Sequence, residues 1–219
     1  EGIVLSPDSS DFRPFGQMCA WLAHLVVTVD LEPGVRSEVM QAFRKLAAAC
    51  VELGKSPETA PTDPEGLCRM TMAVALVKKD QAQRKDRDQD EGGSYGAEAL
   101  QALAQVCVKR CMDEVFVWRP QQLAVIASAY AAAKVPHEGL FRKIGIAAER
   151  HTILGNEWST EQLMKLLAAA HQLGHLPALE KLLRSLQTDK GLQRYVKEAA
   201  PEHLPVLFSV MVLTKDTHG

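Results

Sequence analysis

Apolar residues fall at Leu123, Ile126, Ala127 and Tyr130, and again at Leu163, Leu166, Leu167 and Ala170. This i, i+3, i+4, i+7 spacing marks two helices that each bury one face. Both segments open alike. Trp118 and Trp158 precede the starts, Pro120 suits a first helical turn, and Ser159 followed by Gln162 three residues later reads as a capping box. At a spacing of 40, Trp118/Trp158, Gln122/Gln162, Leu123/Leu163 and Ala129/Ala169 coincide. A second helix follows each first one, from near Pro136 with Leu140, Ile144 and Ala147, and from near Pro177 with Leu179, Leu183 and Leu186.

The same opening recurs at Pro64 to Leu67 and at Pro201 to Leu204, which predicts further first helices there, with Leu123, Leu163 and Leu204 at equivalent buried positions. A helix from about Ala97 to Glu114 completes the earlier pair, and its Leu100, Ala104 and Arg110 align with Leu140, Ile144 and Arg150. The charged tract Lys78 to Glu91 and the following Gly92, Gly93 and Ser94 read as a solvated helix end and a mobile loop, with residues 86–96 as an insertion. A more divergent pair, about Pro14 to Val29 and Val35 to Gly54, comes first, with its turn at Pro33 and Gly34.

The expected fold is therefore all-α: a right-handed-type α-solenoid of stacked antiparallel helix pairs with a period of about 40 residues. Residues 1–61 form the divergent pair, 62–117 the pair carrying the insertion, and 118–219 the best-matched repeats and a final helix. A generic helical bundle accounts for the helices but not for their matched starts.

Composition agrees with helices, since aromatic residues make up 5% of the chain while alanine and leucine recur throughout. Charge changes the picture more. The total is -2, yet Lys and Arg against Asp and Glu number 11 to 16 over residues 1–98 and 13 to 9 over residues 99–200. An anionic partner is expected on the second half. No apolar run approaches the roughly 20 residues that span a bilayer. A chain beginning at Glu1 is expected either to have lost a leader or to be a fragment.

Candidate chemistry is sparse. Cys19, Cys50, Cys68, Cys107 and Cys111 have no CxxC spacing and lie in apolar helical patterns, so buried reduced thiols are expected. His171 and His175 lack the glutamate of a zinc-protease helix, and Cys107 with Cys111 lacks a matching ligand pair. Gly92 to Gly96 follows no strand and precedes no Gly-Lys-Ser, so it reads as a hinge and not a phosphate loop. Trp118 and Trp158 read as residues stapling helix entries rather than stacking on bases. The chain is expected to be no enzyme, with no metal, cofactor or small-molecule substrate.

The Gln-Leu-x-x-Ile/Leu-Ala/Leu-x-Ala motif at Gln122 and Gln162, which runs in one copy to Leu173 and Gly174, resembles the octotricopeptide and related repeats of RAP-protein-associated organellar families. The likeness is best over residues 118–190, and no RAP domain is recognisable. It implies a mitochondrial RNA-associated scaffold, a structural component of a mitochondrial ribosome or RNA-maturation particle, with RNA and protein subunits of that ribonucleoprotein as partners. A protein-binding adaptor in another organellar complex is the alternative. Repeat register supplies the RNA-facing candidates: Arg142 with Lys181, Arg110 with Arg150, and the neighbouring Lys143, Lys165 and Arg184.

Overall fold

The computed structural model describes residues 12–58, 60, 63–84, 95–110, 118–153, 158–186 and 191–215. Among them every regular element is helical: α1 (Phe12–Thr28), α2 (Pro33–Lys55), α3 (Pro64–Arg84), α4 (Tyr95–Arg110), α5 (Pro120–Ala133), α6 (Glu138–Ile153), α7 (Thr160–Gln172), α8 (Glu180–Leu186), α9 (Gly191–Glu198) and α10 (Leu204–Lys215). Two short 3-10 turns, Leu176–Leu179 and Pro201–His203, lead into α8 and α10. No described helix is long and apolar enough to cross a membrane. The chain divides into two compact units, one within Glu1–Phe116 plus Ala132–Val135, the other within Val117–Ala131 plus Pro136–Gly219.

In the first unit α1 lies along α3 and α2 along α4, so the segments 1–61 and 62–117 share one core. Apolar residues at helical spacing build it: Phe15, Cys19, Ala23 and Val26 on α1, Phe43, Leu46 and Cys50 on α2, Leu67, Met70 and Val74 on α3, and Leu100, Leu103 and Cys107 on α4. Small residues set how closely the helices approach. A Cβ on Gly54 would stand 2.6 Å from the Cβ of Ala102, and one on Gly16 would stand 3.0 Å from the backbone of Gly66. Pro33 opens α2, and Asp63 caps α3 by accepting from the backbone N–H of Glu65 and Gly66 at 3.3 and 3.2 Å.

The expected insertion needs correction at both edges. Helix α3 runs through Lys78 to Arg84, and Asp80 within that charged tract is buried, paired with Arg36 of α2 at 3.2 Å. Burying a carboxylate requires such a partner, which lies 44 residues away and leaves no trace in local pattern. Tyr95 and Gly96 belong to α4. The Tyr95 hydroxyl accepts from Gln81, and the Arg44 guanidinium stands 5.7 Å from the centre of its ring. Residues 85–94, the remainder of that expectation, lie outside the described residues.

In the second unit the two helices that open pairs, α5 and α7, start and stop alike. The Gln122 carbonyl accepts from the N–H of Arg119 at 2.9 Å, and the Gln162 carbonyl accepts from that of Ser159 at 3.3 Å, where Ser159 Oγ accepts in return from Gln162 N–H at 3.2 Å. Helix α5 ends at Lys134 with φ 54° and α7 at Gly174 with φ 72°, left-handed residues 40 positions apart. A glycine takes that conformation without a Cβ penalty, whereas Lys134 bears it. Lys134→Gly is therefore expected to stabilise the protein by up to about 1 kcal/mol, read as a rise in the urea midpoint. A lowered midpoint would show that the lysine side chain contributes more than the strain costs.

Helix α6 packs on the turn Leu176–Leu179 and on α8, with Gly145 bringing its backbone against Ala178 and Leu179. The Gln172 amide donates to the Ala131 carbonyl at 3.2 Å, joining the ends of α7 and α5, and α10 lies against α7. The helix expected from near Pro177 opens as a 3-10 turn and continues as α8, with Leu179, Leu183 and Leu186 buried. One expectation is overturned here. Leu204 is 53% exposed, whereas Leu67, Leu123 and Leu163 are buried. Residues Pro201–His203 wind as a 3-10 turn, which advances about 120° per residue against about 100° in an α-helix and so turns the following face by about 60°. Val206, Leu207 and Val210 face inward instead.

Candidate nucleic-acid interface

Of the seven basic candidates, five stand on the packed helices α6 and α8. Arg142 and Arg150 on α6 and Lys181 and Arg184 on α8 are exposed, and Lys143 is half-buried. Their placement follows from the apolar stripe of each helix: Leu140, Phe141, Ile144 and Ala148 turn one side of α6 inward, as Leu182, Leu183 and Leu186 do for α8. Lys143 and Arg150 stand seven residues apart and Lys181 and Arg184 three apart, so each pair shares a helical face.

Electrostatic engagement separates them. Arg184 is held by Glu180, and Lys165 on α7 by Glu161 at 2.5 Å. The Glu161 carboxyl is kept below its ordinary pKa by that hydrogen bond and by the lysine charge. Arg142, Lys143, Arg150 and Lys181 make no ion pair with any described residue. Glu138, Glu149 and Glu180 share α6 and α8 with the five basic side chains, so the local balance is positive but mixed. Such a surface can neutralise phosphates by direct approach.

Arg110 stands apart. It is 9% exposed, and its guanidinium donates to the Ala60 carbonyl and, at 3.2 Å, to the Glu58 carbonyl. Arg150, its match at 40 residues, points outward while the next residue, His151, turns in and donates from Nε2 to the Trp118 carbonyl. Tyr195 on α9 donates its hydroxyl to the Trp158 carbonyl at 3.3 Å. Three times, then, a polar side chain from a later helix clasps a carbonyl of the segment that precedes a pair-opening helix, satisfying a group whose burial without a partner would be costly. Sequence reading missed these roles, because an arginine, a histidine and a tyrosine share no motif. Trp118 and Trp158 themselves are buried, with no face left for a base.

The remaining candidates are dispersed. His171 is exposed with Nε2 3.2 Å from Ser209 Oγ, whereas His175 lies beyond the end of α7 with its ring 5.2 Å from that of Phe141. Cys19, Cys50, Cys68 and Cys107 are buried thiols outside any disulfide, and Cys111 lies outside the described residues. Burial pushes the Cys19 thiol up to about 12 and raises that of Cys50 as well, with the neighbouring Cys19 adding to the effect. Both are protonated and poor nucleophiles at neutral pH. Among the described residues no group of three His, Cys, Asp or Glu side chains is placed to hold a metal ion. No known protein family, curated protein or solved structure matches this chain.

Proposed function

We propose that the protein is a non-catalytic scaffold of stacked helix pairs, an α-solenoid, that associates with RNA through α6 and α8. The observation that carries this reading is the set Arg142, Lys143, Arg150 and Lys181, none of which is engaged by a described acidic residue. Basic side chains not engaged in an ion pair suit phosphate binding, where each neutralised charge releases condensed counterion. Lys165 and Arg184 are secondary, because a phosphate must compete with Glu161 and Glu180 for them. Arg110 is left out, its guanidinium being turned to internal carbonyls.

The solenoid reading is supported by the matched ends of α5 and α7 and by helices that pack on their counterparts in the neighbouring pair, α1 on α3 and α2 on α4. The mitochondrial setting, in a ribosome or an RNA-maturation particle, rests on the octotricopeptide-like resemblance of residues 118–190. A protein-binding adaptor is the second reading, favoured by the apolar side chains exposed on α1 and α10.

Reversing Arg142 and Lys181 together to glutamate distinguishes the two. Binding to single-stranded RNA across a salt series is expected to weaken, and the slope of log affinity against log salt to become shallower by about 0.7 for each phosphate no longer neutralised. Circular dichroism and the melting transition should be unchanged, since both side chains are exposed. Undiminished binding with the same slope would remove this surface and leave the adaptor in front.

A further inference from the structure

In the second unit, two elements begin on a histidine. His137 immediately precedes α6, and His175 immediately precedes the 3-10 turn that leads into α8. Helix starts usually carry Ser, Thr, Asp or Asn, whose oxygens accept from the first backbone N–H groups without needing a neutral ring. At α6 an imidazole plays that part: His137 Nδ1 accepts from the Leu140 N–H at 3.0 Å. A backbone N–H can only donate, so Nδ1 bears no proton and the capping ring is neutral.

The two rings belong to one junction, since α6 packs on the turn Leu176–Leu179 and on α8. Phe141, one helical turn beyond His137, holds its ring 5.2 Å from that of His175, which sets His175 along the face of α6 that His137 opens. The backbone of His175 is fixed: its N–H donates to the Ala170 carbonyl at 2.7 Å, and its carbonyl accepts from the Ala178 N–H at 3.0 Å. Its Nε2 is buried and meets no hydrogen-bond partner among the described residues. Other charged groups surround the junction on each element. Glu138 and Arg142 share α6 with His137, Lys134 lies three residues earlier in the chain, and His171 on α7 reaches Ser209. Helix α8 carries Glu180, Lys181 and Arg184, of which Glu180 is held by Arg184, and the 3-10 turn has no titratable side chain.

A proton on His137 Nδ1 would turn the acceptor into a donor facing another donor, place a positive charge at the positive end of the α6 dipole, and set that charge beside His175. All three effects oppose the cap. We propose that His137 and His175 make this junction proton-sensitive: acidification charges His137, releases the cap and frees the first turn of α6. Burial holds His137 below the ordinary imidazole value, its own backbone hydrogen bond works against that, and the His175 charge lowers it further. The unfolded chain, with the ordinary value of 6.5, therefore takes up the proton first. Stability contributed by the neutral cap is complete above that pH and is lost as pH falls through the lower folded value. The device requires no nucleic acid and stands whether or not α6 and α8 bind RNA.

The test is amide hydrogen exchange on the whole chain without RNA, with protection corrected for the intrinsic effect of pH, together with the titration of the His137 ring followed by NMR. Between about pH 7.5 and about pH 5, protection of the Leu140 amide is expected to fall about fivefold, the size of a lost helix cap. His137→Asn, whose amide oxygen accepts but does not titrate, should keep its protection over the same range. His137→Ala should be poorly protected at both ends. In His175→Asn the cap remains while the neighbouring charge is gone, so the His137 ring should titrate at a higher pH than in the unsubstituted protein. An equal loss of protection in the unsubstituted protein and in His137→Asn overturns the proposal, as does a His137 titration unmoved by His175→Asn. So does a His137 ring that titrates at or above the ordinary imidazole value in the unsubstituted protein, a measurement that decides the matter even if a variant does not fold.

Discussion

Replacing Leu163 by alanine is expected to destabilise the protein by about 2 to 5 kcal/mol, the range for deleting a buried leucine side chain and leaving a cavity. Leu163 is the fourth residue of α7, fully buried, and Trp158, the residue before the N-cap, is buried too. These are the two positions of a hydrophobic staple, so the truncation weakens both the core and the entry of the helix. The capping box of Ser159 and Gln162 persists in the variant, holding the start of α7 in place and limiting collapse around the missing methyls. Urea denaturation measures the loss as a lower midpoint at unchanged slope. Leu204→Ala provides the comparison: although it matches Leu163 in sequence pattern, it is half exposed and should cost less than about 1 kcal/mol. Equal losses at the two sites would mean that Leu204 faces inward in solution.

Arg110→Met is expected to cost about 2 to 4 kcal/mol, although methionine keeps much of the apolar stem. Two hydrogen bonds from a charged donor disappear, and the carbonyls of Ala60 and Glu58 lose the guanidinium that holds the chain ahead of α3 against the end of α4. The neighbouring Lys109, 3.5 Å from the Glu58 carboxylate, is exposed and cannot reproduce that anchorage through a solvent-screened pair. Arg150→Met should change stability by no more than about 0.5 kcal/mol, since its side chain is outside. Thermal or urea unfolding of the two variants side by side decides the matter. Comparable small effects would return Arg110 to the surface set, whereas a large loss confined to Arg110 confirms that matched positions in consecutive pairs serve different ends.

Helix class and most helix starts were legible in the amino-acid sequence because their causes are local. A proline in the first turn, a serine with glutamine three residues on, and apolar residues at the helical period act within a few residues, so Pro64, Pro120 and Ser159 mark starts and Leu123 and Leu163 point inward. The surplus of basic residues after residue 98 was legible in the same way. Tertiary structure decided which charges are used internally. Asp80 is buried because Arg36 reaches it from another helix, Arg110 turns in because carbonyls 50 and 52 residues earlier stand beside the end of α4, and Arg142 and Lys181 form no ion pair with a described carboxylate. Tertiary structure also decided that Leu204 faces out, through a three-residue change of helical winding that the apolar pattern does not encode. Local periodicity selects the face a helix buries, but the partner of a charged side chain depends on where distant segments arrive, and no sequence spacing specifies that.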